Sequence, residues 1–260
     1  MNETVQPLHT KTVDRLKVNI YANRELLGAA AGSHVADKMK ELLSSKNRIR
    51  MIFAAAPSQN EFLQALCSAE GIDWERVTVF HMDEYIGLAP QAPQRFGSFL
   101  SERLFDRVNP GVVHLIDSSG DIEAECKRYA ALLGEAPVDI VALGIGENGH
   151  IAFNDPPVAD FNDSALVKSV ELDMPCRRQQ VNDGCFASLE DVPTHALTLT
   201  IPTLFSGAHL YCMVPGATKT AAVRQTLGGP ISTECPSTIL RRHPDCTLYV
   251  DTDSYDGEIG

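Results

Sequence analysis

Short apolar runs alternate with amphipathic segments from Leu16 to Val250, and this alternation constrains the fold more than any other feature of the chain. Leu16–Tyr21 alternates like a strand, and Glu25–Leu43 then places Leu27, Ala31, Val35, Met39 and Leu42 at helical spacing. Arg50–Ala56, Val77–Met82, Val112–Leu115 and Val138–Leu143 read as further strands. Helices are expected between them: one opened by a capping box, Ser58-Gln59-Asn60-Glu61, then Phe96–Phe105 and Asp121–Leu133. The pattern continues with strands at His195–Ile201, Ala208–Val214 and Thr247–Val250 and a helix over Ala217–Thr226. Strands separated by helices need parallel crossovers, so the expected fold is α/β. It is a single doubly wound, mainly parallel open sheet with helices on both faces, and residues 1–260 form one domain.

Charge and cysteine usage exclude several classes. The formal net charge of −12 argues against nucleic acid and anionic membranes as partners, since both need a basic face to meet phosphates. A small anionic ligand stays compatible, because a local cation can outweigh a distant acidic surface. The seven cysteines are odd in number, irregularly spaced and without a C-x-x-C pair, so neither a disulfide framework nor a zinc site is favoured. Met1–Asn19 has no apolar leader segment, and no stretch approaches the ~20 apolar residues of a membrane span. A reduced, cytoplasmic protein is expected. Self-association is left open.

In a Rossmann-like sheet of this kind, ligands sit at the carboxyl ends of the strands. Past Val138–Leu143 stands Gly144-Ile145-Gly146-Glu147-Asn148-Gly149-His150, a literal G-x-G-x-x-G. A dinucleotide site would need a long helix to start at once, and Asp155-Pro156-Pro157 arrives too soon for one. The glycines instead suit a turn, with Gly149 in it, that lets a ligand approach closely and aims His150 into a cleft. Asp155, five residues on, can orient that histidine and raise its pKa. Asp83-Glu84 ends the Val77–Met82 strand, and a partly desolvated Asp there suits proton abstraction next to a carbonyl. Lys219 follows Pro215-Gly216 at the start of a helix, a natural anion site. Arg177-Arg178 could add a phosphate clamp, and Ser58 could cap its helix or donate to phosphate. His81 reads as structural. No nucleophile-plus-base set and no metal cluster stands out.

Two segments in this order and spacing resemble the glucosamine-6-phosphate deaminases, also called isomerases: Met82-Asp83-Glu84-Tyr85-Ile86-Gly87-Leu88 and Gly144–Pro156. Gly216-Ala217-Thr218-Lys219 and Ala196-Leu197-Thr198 add weaker support. The resemblance implies conversion of an amino-sugar 6-phosphate to fructose 6-phosphate and ammonia, with no metal or organic cofactor. It implies that Asp83 moves the proton between C2 and C1, and that His150, with Asn148 and Asp155, assists ring opening. Lys219 and Arg178 (or Arg177) would hold the phosphate, with Ser58, Glu84 and Gly149 as further substrate contacts. Three positions depart from the family pattern. Ala54-Ala55-Ala56-Pro57-Ser58-Gln59 stands where the family's loop is usually rich in Gly, Thr and Pro, and Pro57, having no N–H, leaves one backbone donor fewer. Asn148 stands where Asp is frequent, and Asp155 where Glu is usual. The chain ends soon after Val250, so the allosteric activation of longer relatives is not expected to carry over. The rival readings are a 6-phosphogluconolactonase-type hydrolase on the same fold, a sugar-phosphate sensor without turnover, and a deaminase acting on galactosamine 6-phosphate.

Overall fold

A computed structural model describes residues 5–258. Residues 1–4 and 259–260, which the leader and one-domain expectations include, lie outside the described residues. The chain opens with β1 (His9–Val13), β2 (Leu16–Tyr21), α1 (Arg24–Ser45), β3 (Ile49–Phe53), α2 (Asn60–Cys67), β4 (Val77–His81) and β5 (Asp83–Tyr85). Next come α3 (Phe96–Leu100), a π turn over Ser101–Phe105, α4 (Asp106–Val108), β6 (Val112–His114), α5 (Ile122–Gly134) and β7 (Ile140–Leu143). The last third runs β8 (Val167–Glu171), α6 (Met174–Asn182), β9 (His195–Leu199), α7 (Ile201–Phe205), β10 (His209–Val214), α8 (Thr220–Gly228) and β11 (Cys246–Asp251).

Eight strands form one sheet in the order β1-β2-β11-β10-β7-β3-β4-β6, parallel throughout except for the β1–β2 pair at one edge. Because strand side chains alternate between faces, each central strand feeds two cores. Met51, Val79, Ala142 and Met213 pack on one face against Leu27, Val35 and Met39 of α1 and Phe62 and Leu66 of α2. Ile52, Phe80, Val141 and Cys212 pack on the other against Tyr129 and Leu133 of α5, Leu204 of α7 and Val223 of α8. Burial on both faces is why these strands read as continuous apolar runs, and the doubly wound α/β expectation is met. Among the described residues, no helix is long and apolar enough to cross a membrane.

Three expectations are corrected. A second, antiparallel sheet of order β5-β9-β8 stands beside the first. The strand expected at His195–Ile201 belongs to it and stops at Leu199, because Ile201-Pro202 opens α7, where proline suits the first turn. Its other members carry weak apolar patterns, Asp83-Glu84-Tyr85 and Val167-Lys168-Ser169-Val170-Glu171, and only tertiary pairing makes them strands. The capping box at Ser58–Glu61 does not form. A single 3₁₀ turn over Pro57–Gln59 precedes α2, no side chain caps either, and Glu61 instead accepts from Arg24 at 2.7 and 2.9 Å.

Candidate active site

The carboxyl ends of four consecutive strands, β10, β7, β3 and β4, open onto one cleft. The topological switch falls here: chain order runs outward from β3 through β4 to β6, and from β7 the opposite way through β10 to β11. After β3 the cleft receives Ala54–Ala56, Ser58 and Gln59, and after β4 it receives Met82 and Asp83. Gly144–Gly146 and His150 follow β7, and Lys219 follows β10.

The turn after β7 is built around its histidine. A Cβ on Gly146 would lie 2.2 Å from the His150 ring, so only glycine lets the imidazole lie over the backbone at that point. Gly149 has φ +83°, and a Cβ there would also meet Cys235 Sγ at 2.5 Å. The turn is tied by the Gly146 N–H donating to His150 O at 2.9 Å and by the His150 N–H donating to Asn148 Oδ1 at 3.0 Å. Asn148 Nδ2 in turn donates to Asp155 Oδ1 at 2.9 Å, and His150 Nδ1 lies 2.8 Å from the same oxygen. The imidazole and the Asn148 amide thus converge on one carboxylate oxygen.

Two carboxyl groups are pushed in opposite directions. Burial raises Asp83 well above the usual carboxylate range, and the charges of Glu84 and Asp155 add to the shift. Burial also pushes Asp155 upward, but the His150 charge and the polar contacts of His150, Asn148 and Cys176 outweigh it, leaving Asp155 below its ordinary value. Environments that separate two acids in this way are how one site obtains a base and a permanent anion. Lys219 is buried and lowered by desolvation, partly offset by Asp183 and Glu147. Ser58 Oγ accepts from Gln59 Nε2 at 3.1 Å, which leaves its own proton for a ligand.

Adjacent carboxylates separate because successive strand residues point to opposite faces. Asp83 lines the cleft, whereas Glu84 turns away and is fully buried. Glu84 accepts from the N–H groups of Tyr85, Phe96 and Gly97 at 3.0, 3.1 and 3.1 Å and sits 3.5 Å from Arg95 Nε. It anchors the start of α3 and does not line the cleft, where a substrate contact was expected of it. The two arginines expected at the phosphate do not line the cleft either. On α6, Cys176, Gln179 and Gln180 are the buried positions, so Arg178 points outward and is exposed. Arg177 is committed to the carbonyls of Leu189 and Val192 at 2.8 and 2.9 Å. Lys219 is the lysine or arginine side chain among the described residues lining the cleft, with the His150 imidazole also in its wall. His81 is structural: burial lowers it to about 3, and its Nε2 accepts from the Ile116 N–H at 2.8 Å.

Gln59, Gln179, Gln180 and Asp183 line the cleft without having been anticipated. Gln179 Oε1 accepts from the Glu147 N–H at 2.7 Å, and Gln180 Oε1 accepts from Tyr85 Oη at 2.6 Å. The i, i+3, i+4 spacing of Cys176, Gln179 and Gln180 is the signal that could have found the two glutamines.

The family model for glucosamine-6-phosphate isomerases/6-phosphogluconolactonase matches residues 22–249. The chain belongs to this family. It is 34% identical over 225 residues to a glucosamine-6-phosphate deaminase of Listeria monocytogenes serotype 4a (strain HCC23), covering 86% of this chain and 94% of the relative. A glucosamine-6-phosphate deaminase of Bacillus cereus (strain G9842) is 39% identical over 184 residues, covering 70% and 68%. Among solved structures, a monomeric glucosamine-6-phosphate deaminase superposes with a TM-score of 0.82 at 30% identity, over 91% of this chain and 98% of that one. The 6-phosphogluconolactonase of Thermotoga maritima shares the fold with a TM-score of 0.73 at 21% identity, covering 93% and 100%. Within this family fold, the glycine turn, Asp83 and Lys219 meet at one strand-end cleft, and the helix beside it presents glutamines where arginines were expected.

Proposed function

We propose that the protein is an amino-sugar phosphate deaminase-isomerase that converts glucosamine 6-phosphate and water to fructose 6-phosphate and ammonia. One observation carries this reading. Asp83 and the His150–Asp155 pair line or back the same cleft, with the two carboxyl groups pushed apart in basicity. His150 serves ring opening by moving a proton between the anomeric hydroxyl and the ring oxygen, while Asp155 holds its charge and orientation. Asp83, desolvated and so more basic than an ordinary carboxylate, removes the proton from C2 and returns it to C1. The aldose thereby becomes a ketose-level imine, and water releases its nitrogen as ammonia. Lys219 and the Ser58 hydroxyl take the phosphate. The chain's free thiols fit a cytoplasmic setting.

Ammonia release from glucosamine 6-phosphate by the purified chain tests the proposal, with galactosamine 6-phosphate and 6-phosphogluconolactone run in parallel. Rapid ammonia release from the glucosamine substrate is expected. Lactone hydrolysis without ammonia would transfer the site to the hydrolase branch, release from galactosamine 6-phosphate alone would reassign the epimer, and no turnover would leave a binding protein.

A further inference from the structure

Behind the cleft, an imidazole nitrogen of His150, a carboxylate oxygen of Asp155 and the thiol of Cys176 lie within 4.8 Å of one another. All three residues are more than nine-tenths buried, at 8%, 0% and 1% exposure. One oxygen of Asp155 is held by Asn148 and lies 2.8 Å from His150 Nδ1, whereas its second oxygen, Oδ2, is fully enclosed and has no hydrogen-bond partner. Buried polar atoms are normally paired, and leaving a carboxylate oxygen unpaired beside an imidazole and a thiol is costly unless something else reaches it.

We propose that His150, Asp155 and Cys176 form a binding site for a thiophilic divalent metal ion, Zn²⁺ or its close analogues, that switches the enzyme off. Nitrogen, oxygen and sulfur donors together match zinc, whose bonds of roughly 2.0–2.3 Å place tetrahedral ligands about 3.3–3.7 Å apart. Closing from within 4.8 Å to that spacing asks for side-chain movements on the order of 1 Å. Three protein ligands leave a fourth position for water, and one of the three, His150, also lines the cleft. An ion held by His150 and Asp155 replaces their mutual contact and withdraws the imidazole from proton transfer. Cys176 makes the site selective for soft ions over Mg²⁺ or Ca²⁺, which prefer oxygen ligands. The metal-binding half of the inference is independent of the substrate assignment, and only its inhibitory consequence rests on the proposed deamination.

Titration of the purified, metal-stripped full chain with Co²⁺ tests the site optically. One Co²⁺ per chain is expected, with the intense near-ultraviolet absorption of a cobalt–thiolate bond, and Zn²⁺ should displace it. Cys176→Ser should abolish that band, and His150→Gln should lower the stoichiometry, both in chains verified as folded by circular dichroism. Absence of a saturable band, or a band that survives in Cys176→Ser, overturns the proposal. In a parallel assay, saturating Zn²⁺ should slow ammonia release by about 10²-fold or more, the contribution typical of a lost acid–base group, and a chelator should restore it. Metal binding with undiminished turnover would overturn the switch, while failure of deamination alone would leave the optical result standing.

Discussion

His150 Nδ1 lies 2.8 Å from Asp155 Oδ1 even though an Asp stands where the family resemblance implies a longer Glu. A tight turn joins Ile151 to Asn154, and Asn154 Nδ2 clamps it by donating to Ile151 O and Leu199 O, both at 2.8 Å. Asp155 is thereby carried up against the imidazole.

Asp83→Asn should lower kcat by about 10²-fold or more with little change in KM, because a general base is lost while the shape of the cleft is kept. The same variant should be more heat-stable at neutral pH. The Asp83 carboxyl is raised in the folded state, so the wild type loses stability as pH climbs from the unfolded pKa through the folded one. The uncharged amide escapes that loss. Equal melting temperatures at pH 7 would contradict the burial argument.

Asp155→Asn should have the opposite sign. The native carboxyl is lowered from 3.8, so its ionised form contributes stability that is present above the ordinary range and lost as pH falls through the lower native value. The variant should therefore melt below the wild type at pH 7, with the difference closing on acidification below about pH 3.9. Melting curves taken across that range check the sign.

Lys219→Ala should raise KM for the phosphorylated substrate by roughly 10- to 100-fold, the equivalent of about 1.5–3 kcal/mol for a hydrogen bond to a charged group. Steady-state kinetics decide this, and an unchanged KM would remove Lys219 from the phosphate contact.

The two arginines of α6 should separate cleanly. Arg178→Ala is expected to leave kcat and KM within about twofold, as for an exposed side chain away from the cleft. Arg177→Ala should cost stability on the order of 1–3 kcal/mol, because the carbonyls of Leu189 and Val192 lose their charged donor. Denaturant unfolding measures the second effect.

Gly146→Ala should reduce turnover without unfolding the chain. The added methyl would sit 2.2 Å from the His150 ring and force it aside, and a displacement of about 1 Å in a catalytic group can cost on the order of 10²-fold. Wild-type kcat in this variant would show that the imidazole's position over the glycine is dispensable.

The layered α/β plan, the strand-end position of the candidate cleft and the glycine turn that presents His150 were legible in the residues alone. Each of these follows from local rules: apolar runs buried on both faces, crossovers between parallel strands, and glycine where backbone and side chain approach closely. Which of two neighbouring residues faces the cleft depends on packing between distant segments. Asp83 and Glu84 are adjacent carboxylates, and the pairing of β5 with β9 sends one inward and the other to the start of α3. Arg178 and Gln180 share one helix, and the packing of α6 turned the amide to the cleft and the cation to solvent. Ser58 followed a cap-like pattern, but Pro57 began a 3₁₀ turn and Arg24 took the Glu61 carboxylate. Local propensity names the residue types a site can use, whereas the direction of each side chain depends on contacts made by residues distant along the chain.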